Sequence, residues 1–174
     1  MSEKSWPDVV LRTLKQNDVR LAVYVPDKVL VPLIQGVHGD AFFTPICATR
    51  EEEGVGICAG AWMGGLRSVL MMQTSGFSNT PNGLASLAVA FQIPIVMLVS
   101  ERGTLGEFQI GQTWSSRVLA PVCDALGIPH HTLDSLDTLE FMVERSIKQA
   151  VSTSSPVALV LSPLLTGGKV LAAP

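Results

Sequence analysis

The sequence predicts a three-layer α/β/α fold on a mainly parallel sheet, and three observations lead there. Apolar, β-rich runs of strand length alternate with stretches of helical period along the chain, the pattern of strands joined by crossover helices. The runs "RSVLMMQ" (67–73), "IPIVMLVS" (93–100) and "PVALVLS" (156–162) are almost wholly apolar, as strands covered on both faces must be. The 174 residues, 47% of them hydrophobic, suffice for one ordinary core. No repeat, low-complexity stretch or linker divides them, so a single domain over 1–174 is expected.

Each element has its own signal. "SWPDVVLRTLKQND" opens with Ser5 as N-cap and Pro7 in the first turn, and Val9, Val10, Thr13 and Leu14 share a face. "RLAVYVP" (20–26) is a short strand closed by Pro26. "DKVLVPLIQGV" reads as a helix with Asp27 near its start, despite Pro32. "AFFTPICA" (41–48) is a strand that Pro45 marks as irregular or edge-like. A helix over about 50–64 precedes the strand 67–73, and another is expected from about Asn79 to Phe91. After the strand 93–100 comes a glycine-containing loop, 101–112. "TWSSRVLAPVCDALG" is a helix ending at Gly127, followed by the short strand "PHHTL", an amphipathic helix over 135–151 and the last strand.

Composition excludes several classes. A net charge of −3 and scattered Lys and Arg give no footprint for nucleic acid. Mean hydropathy is high (+0.38), yet no apolar run approaches the roughly 20 residues of a membrane span. "MSEKSWPD" lacks a leader's layout, so a cytoplasmic protein is expected. Cys47, Cys58 and Cys123 lack metal spacing and read as buried thiols. His38, His130 and His131 form no catalytic or metal-ligating set with other residues. The excess of apolar surface suggests that a partner subunit covers part of it.

In a parallel sheet, ligands bind beyond the carboxyl ends of the strands, which directs attention to 26–28, 49–53, 73–82 and 100–112. "QTSGFSNTPN" (73–82) leaves a buried strand through small polar residues and enters a helix; it carries no Walker ending, and reads equally as a capped turn. Arg102 stands just past a buried strand, where its planar fork could hold an acidic group, or could pair with Glu101 or Glu107. In "ATREEEGVGICAG" (48–60), Glu51, Glu52 and Glu53 fall in a helix's first turn, where the macrodipole favours negative charge. The macrodipole does not explain Gly54, Gly56, Ala59 and Gly60, since glycine costs a helix about 1 kcal/mol relative to alanine. Such a run of small residues implies close approach by another backbone or a ligand, with Glu51 best placed to face it.

These segments resemble the pyrimidine-binding domain of thiamine-diphosphate enzymes. The run from Glu51 to Ala59 and Gly60 is similar to that family's Glu…Ala-x-Gly signature. "MQTSGFSNTPNGLASL" (72–87) resembles the Gln-Asn-Ser-Gly-x-Gly-Asn-x-x-Asn stretch of phosphonopyruvate and sulfopyruvate decarboxylases, with Ser78 in place of the usual glycine. "VPDKVLVPLI" and "LVSERGTLGE" fit that subgroup too. The resemblance implies a fold of the thiamine-diphosphate-binding, pyrimidine-domain type. It implies that Glu51 hydrogen-bonds N1′ of the cofactor's aminopyrimidine and favours its imino tautomer, with Gln73, Ser75, Gly76 and Phe77 as further cofactor contacts. Asp27, Asn79, Arg102 and Gln112 are the candidates for holding a small anionic 2-keto acid.

The family's diphosphate and Mg²⁺ motif, Gly-Asp-Gly followed by Asn, is absent, and "GDAF" (39–42) does not supply it. The resemblance therefore implies a separate β subunit that carries the diphosphate and Mg²⁺, in a hetero-oligomer with at least two α chains. The expected activity is that of a sulfopyruvate decarboxylase α subunit, sharing thiamine diphosphate with its partner. A split decarboxylase of phosphonopyruvate or another 3-substituted pyruvate, and a non-catalytic assembly or regulatory partner, stay open at this point. Glu51 speaks against the last.

Overall fold

The computed structural model describes residues 5–169; the segment 1–4, read above for a leader, and residues 170–174 lie outside the described residues. Among the described residues six strands form one sheet: β1 (Val19–Tyr24), β2 (Thr44–Cys47), β3 (Arg67–Gln73), β4 (Val96–Ser100), β5 (His130–Leu133) and β6 (Val157–Leu161). Their order is β2-β1-β3-β4-β6-β5, and every neighbouring pair is parallel.

Side chains alternate across the pleat and feed two cores. Val69 and Met71 of β3, Val96 and Leu98 of β4, and Val157, Leu159 and Leu161 of β6 join one core with α1 (Trp6–Gln16), α2 (Val31–Gly39) and α8 (Leu136–Thr153). Their neighbours Leu70, Met72, Met97, Val99, Ala158 and Val160 join the other, with α3 (Glu51–Met63) and α7 (Leu119–Leu126). The three layers are thus as expected, and the uninterrupted apolar runs are the strands that need cover on both faces. Pro45 lies on the edge strand β2, paired in register with Ala22, where its missing N–H spoils no central ladder. No described helix is long and apolar enough to cross a membrane.

Several boundaries differ from expectation, each for a local reason. The helix expected from Asp27 begins only at Val31, because Pro32 belongs in a first turn, where an N–H has no helical partner anyway. Asp27 instead closes the preceding turn, its Oδ1 accepting from Val29 N at 3.0 Å. The segment after β3 is a one-turn helix, α4 (Thr74–Phe77), and the next helix starts at Pro81 as α5 (Pro81–Gly83), continuing as π-helix over Leu84–Val89. The loop after β4 ends at Gln109, since α6 (Ile110–Ser115) follows, and a short α9 (Pro163–Thr166) comes after β6. Cys47, expected to be buried, is exposed at the carboxyl end of the edge strand β2.

Leu98 lies in the middle of β4 with no exposed surface. Leu98→Ala should therefore lower stability by about 2–5 kcal/mol. A fall in the urea midpoint at unchanged slope measures it.

Candidate active site

The sheet order places a crevice. From β1 the chain passes to β2 on one side, then crosses back to β3 on the other, so the segments leaving β1 and β3 diverge at their carboxyl ends. The helix α3 packs beside these two strands and brings the carboxylate cluster to the crevice.

The three carboxylates of α3 take three different positions. Glu51 is buried, 7% exposed, while Glu52 and Glu53 face outward. Glu52 accepts from Arg50 Nε at 3.0 Å, and Glu53 Oε2 accepts the backbone N–H of Thr49 at 2.7 Å, as a helix-starting glutamate does. Glu51 Oε2 accepts from Asn79 Nδ2 at 2.9 Å. Its other oxygen lies against α4: a Cβ built on Gly76 would stand 2.2 Å from Glu51 Oε1 and 2.8 Å from its Cγ. Only glycine at 76 leaves room for this carboxylate.

The glycines of α3 divide by face. A Cβ at Gly54 would meet Leu70 Cδ1 at 2.5 Å, so the helix lies close on β3 there. Gly56 and Gly60 face open space instead, and the close approach expected for them is not made among the described residues.

Arg102 is buried, as its place after β4 requires, and its fork is already filled. Nε and Nη2 donate to the two oxygens of Glu107 at 2.9 and 3.0 Å, a bidentate pair. Nη2 also donates to Gln109 Oε1 at 2.8 Å, and Nη1 to Gln73 Oε1 at 3.4 Å. Asp27 Oδ2 lies 3.8 Å from Nη1, and Asp27 Oδ1 accepts from Ser100 Oγ at 2.9 Å. Glu107 further accepts backbone N–H groups of Gly103, Phe108 and Gln109 at 3.1, 3.1 and 2.9 Å. Burial alone would push the Glu107 carboxyl up; the hydrogen bonds from Arg102, Gln109 and Gly103 and the guanidinium charge outweigh it and hold the pKa at about 2.

The structure therefore brings Glu51, Gly76 and Asn79 together, and separately Asp27, Gln73 and Arg102. Ser75 is half-buried within α4, between these two groups in sequence. Phe77 has no exposed surface and packs into the core, so its side chain does not face the crevice. Gln112 sits on α6 rather than in the loop, with its Oε1 buried and without a hydrogen-bond partner among the described residues. The sequence does not single out Glu107 and Gln109 as site residues and offers Glu107 only as a pairing partner for Arg102, because loop composition does not show which carboxylate will be buried. His38 Nε2 pairs with the Tyr24 hydroxyl at 2.8 Å, away from Glu51. Among the described residues no group of three or more His, Cys, Asp or Glu could hold a metal ion.

Comparison with known proteins gives these positions a context. Residues 5–116 match the thiamine pyrophosphate enzyme family through its N-terminal TPP-binding domain. The chain belongs to this family. It is similar to the sulfopyruvate decarboxylase subunit alpha of Methanothermobacter thermautotrophicus, 36% identical over 88% of this chain and 93% of the relative. Phosphonopyruvate decarboxylase of Streptomyces viridochromogenes is 39% identical over 48% of this chain and 21% of its own length. A solved 2-oxoglutarate:ferredoxin oxidoreductase from Magnetococcus marinus has the same fold, with a TM-score of 0.73 over 94% of this chain and 29% of that one, at 11% identity.

A prediction follows from the Glu107 pKa. Because it is depressed in the folded chain, Glu107 stabilises fully above its ordinary value of 4.5, and that contribution disappears as pH falls toward about 2. Wild type should thus be more stable than Glu107→Gln at pH 6, with the difference narrowing between pH 4.5 and 2 in parallel denaturant titrations.

Proposed function

We propose that this member of the thiamine pyrophosphate enzyme family is the α subunit of a decarboxylase that converts sulfopyruvate to sulfoacetaldehyde and carbon dioxide. The observation that carries the reading is the setting of Glu51: a buried carboxylate at the start of α3, pressed on Gly76 and held by Asn79. That donor set fits the aminopyrimidine end of thiamine diphosphate, which needs one acidic group fixed opposite N1′. When bound, the cofactor supplies the nucleophilic carbon and the electron sink that allow carbon dioxide to leave a 2-keto acid.

The chain's own residues then have limited and separable tasks. Glu51 holds a proton between its carboxyl oxygen and N1′. Asn79 fixes the carboxylate by one amide hydrogen bond, and Gly76 gives it a seat without a side chain. Gln73 and Ser75 border the cofactor from the end of β3 and from α4. Phe77 contributes by anchoring that turn in the core.

In this reading a β subunit holds the diphosphate and Mg²⁺, because the sequence has no Gly-Asp-Gly motif of its own. The name of the Methanothermobacter relative, a subunit of nearly the same length, supports a two-chain enzyme. So does the loop and helix beyond Arg102, where Leu105, Ile110 and Trp114 are 69%, 86% and 69% exposed and call for cover. Phosphonopyruvate is the second reading for the substrate, favoured by the similarity over 83 residues to the Streptomyces enzyme.

The test is an assay of the co-expressed α and candidate β chains on sulfopyruvate, phosphonopyruvate and pyruvate. Sulfopyruvate should be the preferred substrate, and preference for another keto acid would reject it. Glu51→Gln, which keeps the shape but cannot release a proton at N1′, should cost more than ~10²-fold in kcat with assembly intact. An equal loss in Glu52→Gln with a mild effect in Glu51→Gln would reject the assignment. Titration calorimetry on the chain alone should show no tight thiamine diphosphate binding, and micromolar, Mg²⁺-dependent binding would count against the β-subunit division.

A further inference from the structure

The second acidic group of sulfopyruvate, its sulfonate, has an obvious receptor on paper, the arginine just past β4. The structure places that arginine otherwise. A guanidinium has five N–H donors. Here one goes to Glu107 Oε2 (2.9 Å), two from Nη2 to Glu107 Oε1 and Gln109 Oε1 (3.0 and 2.8 Å), and one from Nη1 to Gln73 Oε1 (3.4 Å); Asp27 lies 3.8 Å from Nη1. Two carboxylates already face this single positive charge, each 7% exposed or less. A third anion would add negative charge to a buried group that carries a surplus of it, at a cost that grows as the local dielectric falls.

What Arg102 touches points to a different task. Gln73 is the residue from which α4 begins, and α4 carries Gly76, the seat of Glu51. The backbone of Arg102 holds the next residue as well: Arg102 N donates to Thr74 Oγ1 at 3.2 Å, and that hydroxyl donates back to Arg102 O at 3.4 Å. On its far side Glu107 folds the loop back over the guanidinium. A buried cation, pinned by its own loop, thereby holds the turn against which Glu51 rests.

We infer that Arg102 and Glu107 form a clasp that positions α4, and through Gly76 the Glu51 carboxylate, and that Arg102 is not the receptor of the substrate's second acidic group. Arg102 is a positioning residue, and Glu107 is its permanent counter-ion. The kinetic part of the test rests on the decarboxylase reading; the exchange part does not.

The test uses Glu107→Gln and Arg102→Lys in the assembled complex. A clasp predicts that both variants lower kcat for sulfopyruvate about tenfold or more while KM stays within about threefold. A receptor predicts the opposite pattern: KM rises at little-changed kcat in Arg102→Lys, and KM falls in Glu107→Gln as the guanidinium is freed. Either of those results overturns the inference. Hydrogen exchange gives a second readout: the amides of Asn79 and Thr80, which close the turn onto Gly76 and Phe77, should exchange about tenfold faster while those of β3 keep their protection. Unchanged exchange at 79–80 would equally overturn it. Should Arg102→Lys fail to fold, Glu107→Gln, which preserves the volume and one of the two accepting oxygens, decides alone. If the wild-type complex leaves sulfopyruvate untouched, the substrate assignment fails and the exchange result still settles the clasp.

Discussion

A buried cation must have every donor answered, and that demand organises the carboxyl edge of this sheet. Arg102 leaves a strand with no exposed residue and is itself 4% exposed. Its charge is tolerable only because Glu107 approaches in bidentate geometry and Gln109, Gln73 and Asp27 complete the shell. Meeting that demand folds the loop back on the strand it has just left, and ties together the ends of β1, β3 and β4. The crevice at the strand reversal thus has a rigid floor on one side, and Glu51 enters from the other on a separate helix.

The three adjacent glutamates show how neighbouring residues of one type acquire different work. Helical geometry turns each successive side chain by about 100°, so only one of three can face the sheet. Glu51 does, and its burial follows from that rotation rather than from any property of glutamate. Glu52 and Glu53 satisfy an arginine side chain and a backbone N–H, which are ordinary helix-start contacts.

Much of the fold was legible because periodicity reports burial directly. The continuous apolar runs at 67–73, 93–100 and 156–162 could be only strands with cover on both faces, and Gly127 ended its helix in the left-handed conformation that glycine favours. The Glu51 cluster stood out because carboxylates that suit a helix start were followed by glycines that weaken a helix. What the sequence did not display were contacts across the fold. Nothing local distinguishes Glu107 from Glu101, yet one is wrapped around Arg102 while the other is half-buried beside Ser162, its carboxyl raised by desolvation. Phe77 looked like a crevice residue by its place in a motif; the one-turn α4, too short to show a period, rotates it into the core.

Gly54 has a consequence for how α3 can vary. A methyl of Leu70 occupies the volume where its Cβ would stand, so the bare backbone of α3 meets a sheet side chain there and sets the spacing between the first turn of α3 and the sheet. That contact acts as a depth stop, one turn from Glu51, fixing how far the carboxylate reaches past the strand ends. Drift in this helix should consequently be one-sided. The outward Gly56 and Gly60 answer to whatever packs on them, whereas a larger residue at position 54 requires the Leu70 methyl to move or shrink.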